Sequence, residues 1–176
     1  MPVMQITVRR ARTRDVVHIR RLIDTFSGER RVLSKNTVNL YEDVQEFWVA
    51  EADDGVQRTV VGCGALHVLW EDLAEVRTVA VDPVMQGHGI GHRLVAELLS
   101  AARELGVRRV FCLTFETGFF GKHGFEPIRG TPVSHRVYEE LLCSYDEGVA
   151  EFLDLERVKP NTLDNTRMLL YLDEGG

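Results

Sequence analysis

Three glycines fall within five residues in the stretch Gln86-Gly87-His88-Gly89-Ile90-Gly91. An apolar run closing on Asp82-Pro83 precedes it, and a long amphipathic segment follows. Glycine lets a backbone adopt positive φ and approach a ligand closely. A helix opening at such a loop presents unpaired N–H groups and the positive end of its dipole. Together these features suit an anion, and a pyrophosphate in particular. A Walker A loop would need Gly-Lys-Ser/Thr after four spacer residues, which is missing. A dinucleotide fingerprint would read G-x-G-x-x-G and open a parallel βαβ unit near the chain start. Here the pattern is G-x-G-x-G behind a glutamine, in mid-chain. A tight strand-to-helix turn without a ligand is the alternative that the loop alone leaves open.

The remaining reactive side chains narrow the chemistry. Cys63, Cys112 and Cys143 are scattered, with no CxxC pair and no Cys/His cluster. That pattern indicates neither a disulfide framework nor a metal site. Cys63 and Cys112 sit inside apolar runs and are expected to be inert core thiols. His88 is expected on the loop surface, while His67, His123 and His135 show no partner in sequence. Twenty-one basic against 27 acidic residues give a net charge of −6. This argues against nucleic acid or an anionic membrane as the main partner. Charges interrupt every apolar stretch, so no membrane-spanning helix is expected. Met1–Arg10 lacks a signal-peptide core, so cytoplasmic residence is expected.

The elements that must position the loop are legible in outline. A chain of 176 residues fits one domain, 1–176. Ile6–Arg9 reads as a strand. Thr13 offers a hydroxyl N-cap for a helix whose face is Val16, Ile19, Leu22, Ile23 and Phe26, ending at Gly28. A short helix is expected from Thr37 to about Val44. Strands follow at Phe47–Glu51 and Thr59–Leu69 around the turn Asp53-Asp54-Gly55, then at Glu75–Val81. Gly89–Leu105 is the clearest helix, with Ile90, Leu94, Leu98, Ala101 and Leu105 on one face and Gly106 as C-cap. Arg109–Thr114 reads as a buried strand, Gly118–Lys122 as a short helix, and Phe125–Ile128 as a strand. Ser134–Cys143 reads as a helix, and the tail from Asn165 to Leu172 is strand-like. The order is that of a mixed α/β sheet with helices packed on it.

Two motifs carry a resemblance to a known family. Gln86, Gly89 and Gly91 behind Val81-Asp82-Pro83 match Q/R-x-x-G-x-G/A after V-x-P. Phe119-Phe120-Gly121-Lys122-His123-Gly124-Phe125 matches an aromatic followed by Gly-Phe after the next strand. In this order the pair resembles the GNAT superfamily of N-acetyltransferases, over roughly Val3 to Ile128. The resemblance implies a GNAT fold: an α/β (α+β) domain with a mixed, mostly antiparallel sheet, splayed central strands and flanking helices. It implies acetyl-CoA as co-substrate and no metal. The backbone of Gln86, Gly87, His88, Gly89, Ile90 and Gly91 would hold the pyrophosphate. Val79 and Val81 would hydrogen-bond the pantetheine arm and the acetyl carbonyl, and Thr114 and Phe120 complete the cofactor residues.

Transfer needs a neutral amine, and the thiolate that leaves must take a proton. Glu75, in Ala74-Glu75-Val76, is similar in position to the general-base glutamate of GNAT histone acetyltransferases. Many GNAT enzymes carry a tyrosine acid where this chain has Phe120, which leaves the acid unassigned. In that respect the sequence resembles N-acetylglutamate synthase, the amino-acid acetyltransferase family that opens arginine biosynthesis. The loop Val32–Asn36 and the strand around Arg167 are similar to counterparts there. A carboxylate acceptor needs a fixed cation, and the candidates are Lys35, Arg77 and Arg167. The upstream kinase domain of many such synthases has no counterpart here, so the short, stand-alone type is expected. A small-molecule amino acid, most readily glutamate, is the expected partner, and a homodimer is among the arrangements the family implies. An acceptor such as an aminoglycoside or a protein N-terminus stays open, as does a non-catalytic acetyl-CoA sensor.

Overall fold

A computed structural model of the protein describes residues 3–27, 36–153 and 165–173. The strands are β1 (Gln5–Arg10), β2 (Phe47–Asp53), β3 (Arg58–Trp70), β4 (Leu73–Val81), β5 (Arg109–Thr114), β6 (Glu126–Pro127) and β7 (Thr166–Tyr171). The helices are α1 (Val16–Ser27), α2 (Thr37–Glu42), α3 (Ile90–Leu105), α4 (Thr117–Gly121), α5 (His135–Leu141) and α6 (Glu147–Phe152). The strands form a seven-stranded sheet in the order β1-β2-β3-β4-β5-β7-β6. Its β1/β2, β2/β3, β5/β7 and β6/β7 pairs are antiparallel. β4 and β5 pair in parallel over Leu73–Glu75 and Arg109–Phe111. The expected mixed, mostly antiparallel GNAT sheet is therefore observed.

The chain divides into two compact units. The first comprises residues 1–66 and 76–101. In its core α1 buries Val16, Ile19, Leu22, Ile23 and Phe26 against Phe47, Val49, Val60 and Cys63. Each such side chain contributes roughly 1.5–3 kcal/mol through removal from water. The helix start differs from expectation. Thr13 is not the N-cap: it opens a 3₁₀ turn capped at Arg12, whose N–H is accepted by the Asp15 carboxylate at 2.7 Å. An acceptor three residues into the turn reaches back to the first orphan donor, as the acid of a capping box does. Gly28 lies outside the described residues. The hairpin turn holds as expected: Gly55 has φ 87°, and Asp54 Oδ1 accepts the Val56 and Gln57 N–H groups.

The second unit comprises residues 67–75 and 102–176. Its core gathers Leu73, Phe111, Leu141, Val149, Phe152, Leu153 and Leu169. Ser134 caps α5 by accepting the Val137 N–H at 3.3 Å. α6 is an element that apolar periodicity did not announce. Among the described residues no helix is long and apolar enough to cross a membrane.

Candidate active site

In the first unit, the glycine-rich loop is set by packing beneath it. α3 lies on β3 at two glycines. A Cβ built on Gly62 would stand 3.0 Å from Leu94 Cδ1 and 3.2 Å from Ile90 Cγ2. One on Gly64 would stand 3.0 Å from Leu98 Cδ1 and 3.4 Å from Val79 Cγ2. Side chains there would lift the helix, and with it the N-terminus that begins at Ile90. Leu105, expected on the buried face of α3, is exposed at the helix end, while Gly106 terminates the helix with φ 85°.

The loop is tied at both flanks. Asp82 N–H donates to Val61 O at 2.8 Å, and the Asp82 carboxylate accepts the Val84 N–H at the 3₁₀ turn Pro83–Met85. Gln86 follows in extended conformation, and Gly87 and Gly89 take φ of 85° and 74°. Nothing lies within 4 Å of a Cβ built on either glycine, so backbone conformation rather than crowding demands them. His88 Nδ1 lies 3.1 Å from Met85 O and 3.2 Å from Gln86 O. Both oxygens can only accept, so Nδ1 carries the proton, and the ring clasps the loop from outside. Arg93 anchors the first turns of α3 through Nη1 to Ile6 O at 2.9 Å. The sixteen-residue α3 begins at Ile90, with Gly91 in its first turn. Gly91, unlike Gly87 and Gly89, is not among the residues of positive φ.

β4 carries the residues expected along the cofactor arm. Leu73, Ala74, Glu75 and Val76 are all buried, and Arg77, Thr78 and Val79 after them are half-buried. Thr78 has φ 58°, the single non-glycine residue of positive φ among those described. A β-branched residue in this region is strained and marks a local irregularity within the continuous strand. The Thr78 carbonyl accepts from Cys63 Sγ at 3.5 Å. Burial pushes the Cys63 thiol up to about 12, so it stays protonated, as expected of an inert core cysteine.

In the second unit, Glu75 is 5% exposed and stands opposite Phe111 in the parallel register. Burial, and then the negative charge of Glu75, raise the Cys112 thiol. The Glu75 carboxylate reaches the turn before α6, where Asp146 N-caps the helix by accepting the Val149 N–H at 3.1 Å. His67 Nε2 lies 3.8 Å from Asp146 Oδ2. Thr114 is buried and its hydroxyl accepts the Glu116 N–H at 2.8 Å. Phe120 is buried edge-to-face between Phe119 and Phe125, at 5.0 and 5.4 Å between centroids. His123 faces the Phe119 ring, and His135 pairs with Glu139 at 3.0 Å.

The three cations expected at a substrate carboxylate part company. Arg167 donates from Nη1 to Gly130 O at 2.8 Å and Phe152 O at 2.9 Å, so this nitrogen holds the chain around it. Arg77 is half-buried on β4, and Lys35 lies outside the described residues. Among the described residues no group of three or more His, Cys, Asp or Glu side chains is placed to hold a metal.

The acetyltransferase (GNAT) family matches the chain over residues 16–125, which contain the loop, β4 and the aromatic motif. The chain belongs to that family. As a GNAT acetyltransferase it uses acetyl-CoA, and the open, positive-φ loop at the head of α3 fits a pyrophosphate. The acetyltransferase is 64% identical over 165 residues to the amino-acid acetyltransferase of Mycobacterium tuberculosis, covering 94% of each chain. It is 32% identical to the amino-acid acetyltransferase of Neisseria meningitidis over 69% of its own length, spanning 27% of that relative. Its fold superposes on a crystal structure of Rv2747 from Mycobacterium tuberculosis in complex with CoA and NLQ. That match has a TM-score of 0.91 and 63% identity, over 95% of this chain and 99% of the other. It also superposes on N-acetylglutamate synthase from Neisseria gonorrhoeae complexed with coenzyme A and N-acetyl-glutamate. Here the TM-score is 0.74 at 24% identity, over 96% of this chain and 35% of the other. That second likeness concerns the fold alone.

Proposed function

We propose that this acetyltransferase moves the acetyl group of acetyl-CoA to the α-amino group of a free amino acid of the glutamate type. The observation that carries the reading is the 64% identity, over 94% of both chains, with a protein named amino-acid acetyltransferase. Gln86–Gly91 binds the pyrophosphate, Val79 and Val81 offer backbone groups to the arm and acetyl group, and Thr114 and Phe120 line it. Glu75 is the base. As the amine nitrogen bonds to the acetyl carbon, the C–S bond breaks and the amine gives up a proton. Glu75 accepts that proton directly or through water, and the CoA thiolate leaves. Phe120 has no proton to donate, so the thiolate leaves as such or takes a proton from water or another donor. Arg167, through nitrogens other than Nη1, is the leading candidate for the acceptor carboxylate, with Arg77 and Lys35 as the alternatives. Cytoplasmic residence, a homodimer and a place in arginine biosynthesis belong to the same reading.

Incubation with acetyl-CoA, a thiol reagent and a panel containing glutamate, glutamine, aspartate, an aminoglycoside and a peptide N-terminus tests it. Release of CoA thiol with glutamate or glutamine is expected. Turnover with the peptide or aminoglycoside only would refute the amino-acid reading. Glu75→Gln should lower kcat by about 10²–10⁴-fold with acetyl-CoA affinity kept. A wild-type rate would remove Glu75 from the chemistry.

A further inference from the structure

Within the second unit, the Glu75 side chain ends on the backbone of another element. β4 delivers it to the face that Leu73 and Phe111 share with Leu141, Val149 and Phe152 of α5 and α6. There the carboxylate meets Gly148, in the first turn of α6. A Cβ built on Gly148 would collide with Glu75 Oε2, and would come within 3.1 Å of Glu75 Cδ and 3.0 Å of Asp146 Oδ1.

The backbone does not explain this glycine. Gly148 is helical and is not among the glycines of positive φ, so an L-residue could adopt its conformation. In a helix, glycine is less favourable than alanine by roughly 0.5–1 kcal/mol. The position therefore carries a helix-weakening residue whose one visible consequence is room for the Glu75 carboxyl group. The turn that offers this room is firmly built. Ser144 Oγ accepts the Asp146 N–H at 3.1 Å, Asp146 Oδ1 accepts the Val149 N–H at 3.1 Å, and Asp146 O accepts the Ala150 N–H at 3.2 Å. Gly148 can thus fix where the carboxylate ends, because the turn cannot yield without breaking these bonds and β4 is held by its pairing with β5 over Leu73–Glu75.

We infer that Gly148, held by the Asp146 turn, is a positioning residue for Glu75: its bare Cα is the surface against which the base is set for proton removal. This rests on the reading of Glu75 as the base. The test is a cycle of Gly148→Ala, Glu75→Gln and the double variant. Its readouts are kcat, KM for acetyl-CoA and thermal unfolding. Displacing a reacting group by about 1 Å can cost on the order of 100-fold. Gly148→Ala is accordingly expected to lower kcat by about 10–100-fold, with KM for acetyl-CoA within about twofold. In the Glu75→Gln background the same substitution should change kcat by less than about twofold, because the group it acts through is already disabled.

Equal losses in both backgrounds would mean a merely structural role and overturn the inference. So would a Gly148→Ala enzyme within about twofold of wild type. A wild-type rate in Glu75→Gln alone would remove the base reading and this inference with it. Full loss in Glu75→Gln beside a normal Gly148→Ala would remove the inference only. If Gly148→Ala does not fold, the Glu75→Asp background decides, since its shorter arm leaves room for the methyl. There Gly148→Ala should leave the melting temperature equal or higher. A failure to fold in that background as well would overturn the inference.

Discussion

Gly89 offers a way to separate backbone strain from electrostatics at the loop. Its φ of 74° belongs to the region where an L-residue costs roughly 1–2 kcal/mol. No atom lies within 4 Å of a Cβ built there, so a methyl would strike nothing in this chain. Gly89→Ala should therefore lower stability by about 1–2 kcal/mol, or about 2–8 °C in melting temperature for a chain of this size. Gly89→Asp carries the same backbone cost and adds a carboxylate beside a bound pyrophosphate. At about 4 Å, two unit charges repel by roughly 1 kcal/mol in water and about 4 kcal/mol at the effective dielectric of a protein surface. Relative to Gly89→Ala, affinity for CoA should therefore fall by between about fivefold and 1,000-fold. The added loss should shrink when ionic strength rises from about 0.01 to 1 M. Isothermal titration with CoA, run beside thermal unfolding for both variants, measures the two contributions. If Gly89→Asp binds CoA as tightly as Gly89→Ala at low salt, the anion does not sit at this loop.

The other perturbations probe the supports around it. Gly62→Val should force α3 away from β3, costing about 1–3 kcal/mol in unfolding free energy and weakening CoA binding through Ile90. Arg9 donates to Asp15 at 2.8 and 3.0 Å and to Glu51 at 3.0 Å. Burial pushes the Asp15 carboxyl up, but the Arg9 hydrogen bonds and the Arg12 N–H outweigh it and hold it below the usual range. Its stabilisation is thus present above the ordinary aspartate value of about 3.9 and lost as pH falls through the lower folded value. Asp15→Asn should be less stable than wild type by about 1.5–3 kcal/mol at pH 7, the gap closing below about pH 4 in pH-dependent urea unfolding. Arg167→Ala should lower kcat/KM for glutamate by about 10–150-fold, and far less for an acceptor without the contacted carboxylate. Loss of the Gly130 and Phe152 contacts should also lower its melting temperature, and an equal kinetic fall for every acceptor would leave only that structural role.

The elements that the sequence made legible are those with a local cause. The face of α1, the period of α3, its C-cap Gly106 and the Asp53–Gly55 turn each follow from residues near one another in the chain. The glycine-rich loop was readable because positive φ leaves a glycine signature. α6 was not, because its six residues span fewer than two turns of apolar spacing and most of such a helix's stability comes from packing. The cap at Asp15 was missed because its carboxylate reaches back to the Arg12 N–H and is fixed by Arg9 on β1, a partner outside the helix. The setting of Glu75 is tertiary: it joins residues 75, 146 and 148, and only the glutamate carried a sequence signal. Leu105 followed the period of α3 and is exposed because the apolar stripe outlasts the surface that covers it.

The cysteines bear on how this protein can be observed. Cys63 and Cys112 are buried and Cys143 is exposed. A disulfide reagent that reports CoA release will therefore also titrate one protein thiol per folded chain, a fixed offset that can be subtracted. The same asymmetry makes Cys143 a single attachment point for a fluorophore without any engineered cysteine. It stands two residues past the end of α5, three residues before the Asp146 cap, with its own Sγ held 3.8 Å from Glu139 O. A dye placed there would sense movement of the turn beneath Glu75 while the enzyme's own thiol inventory stays intact.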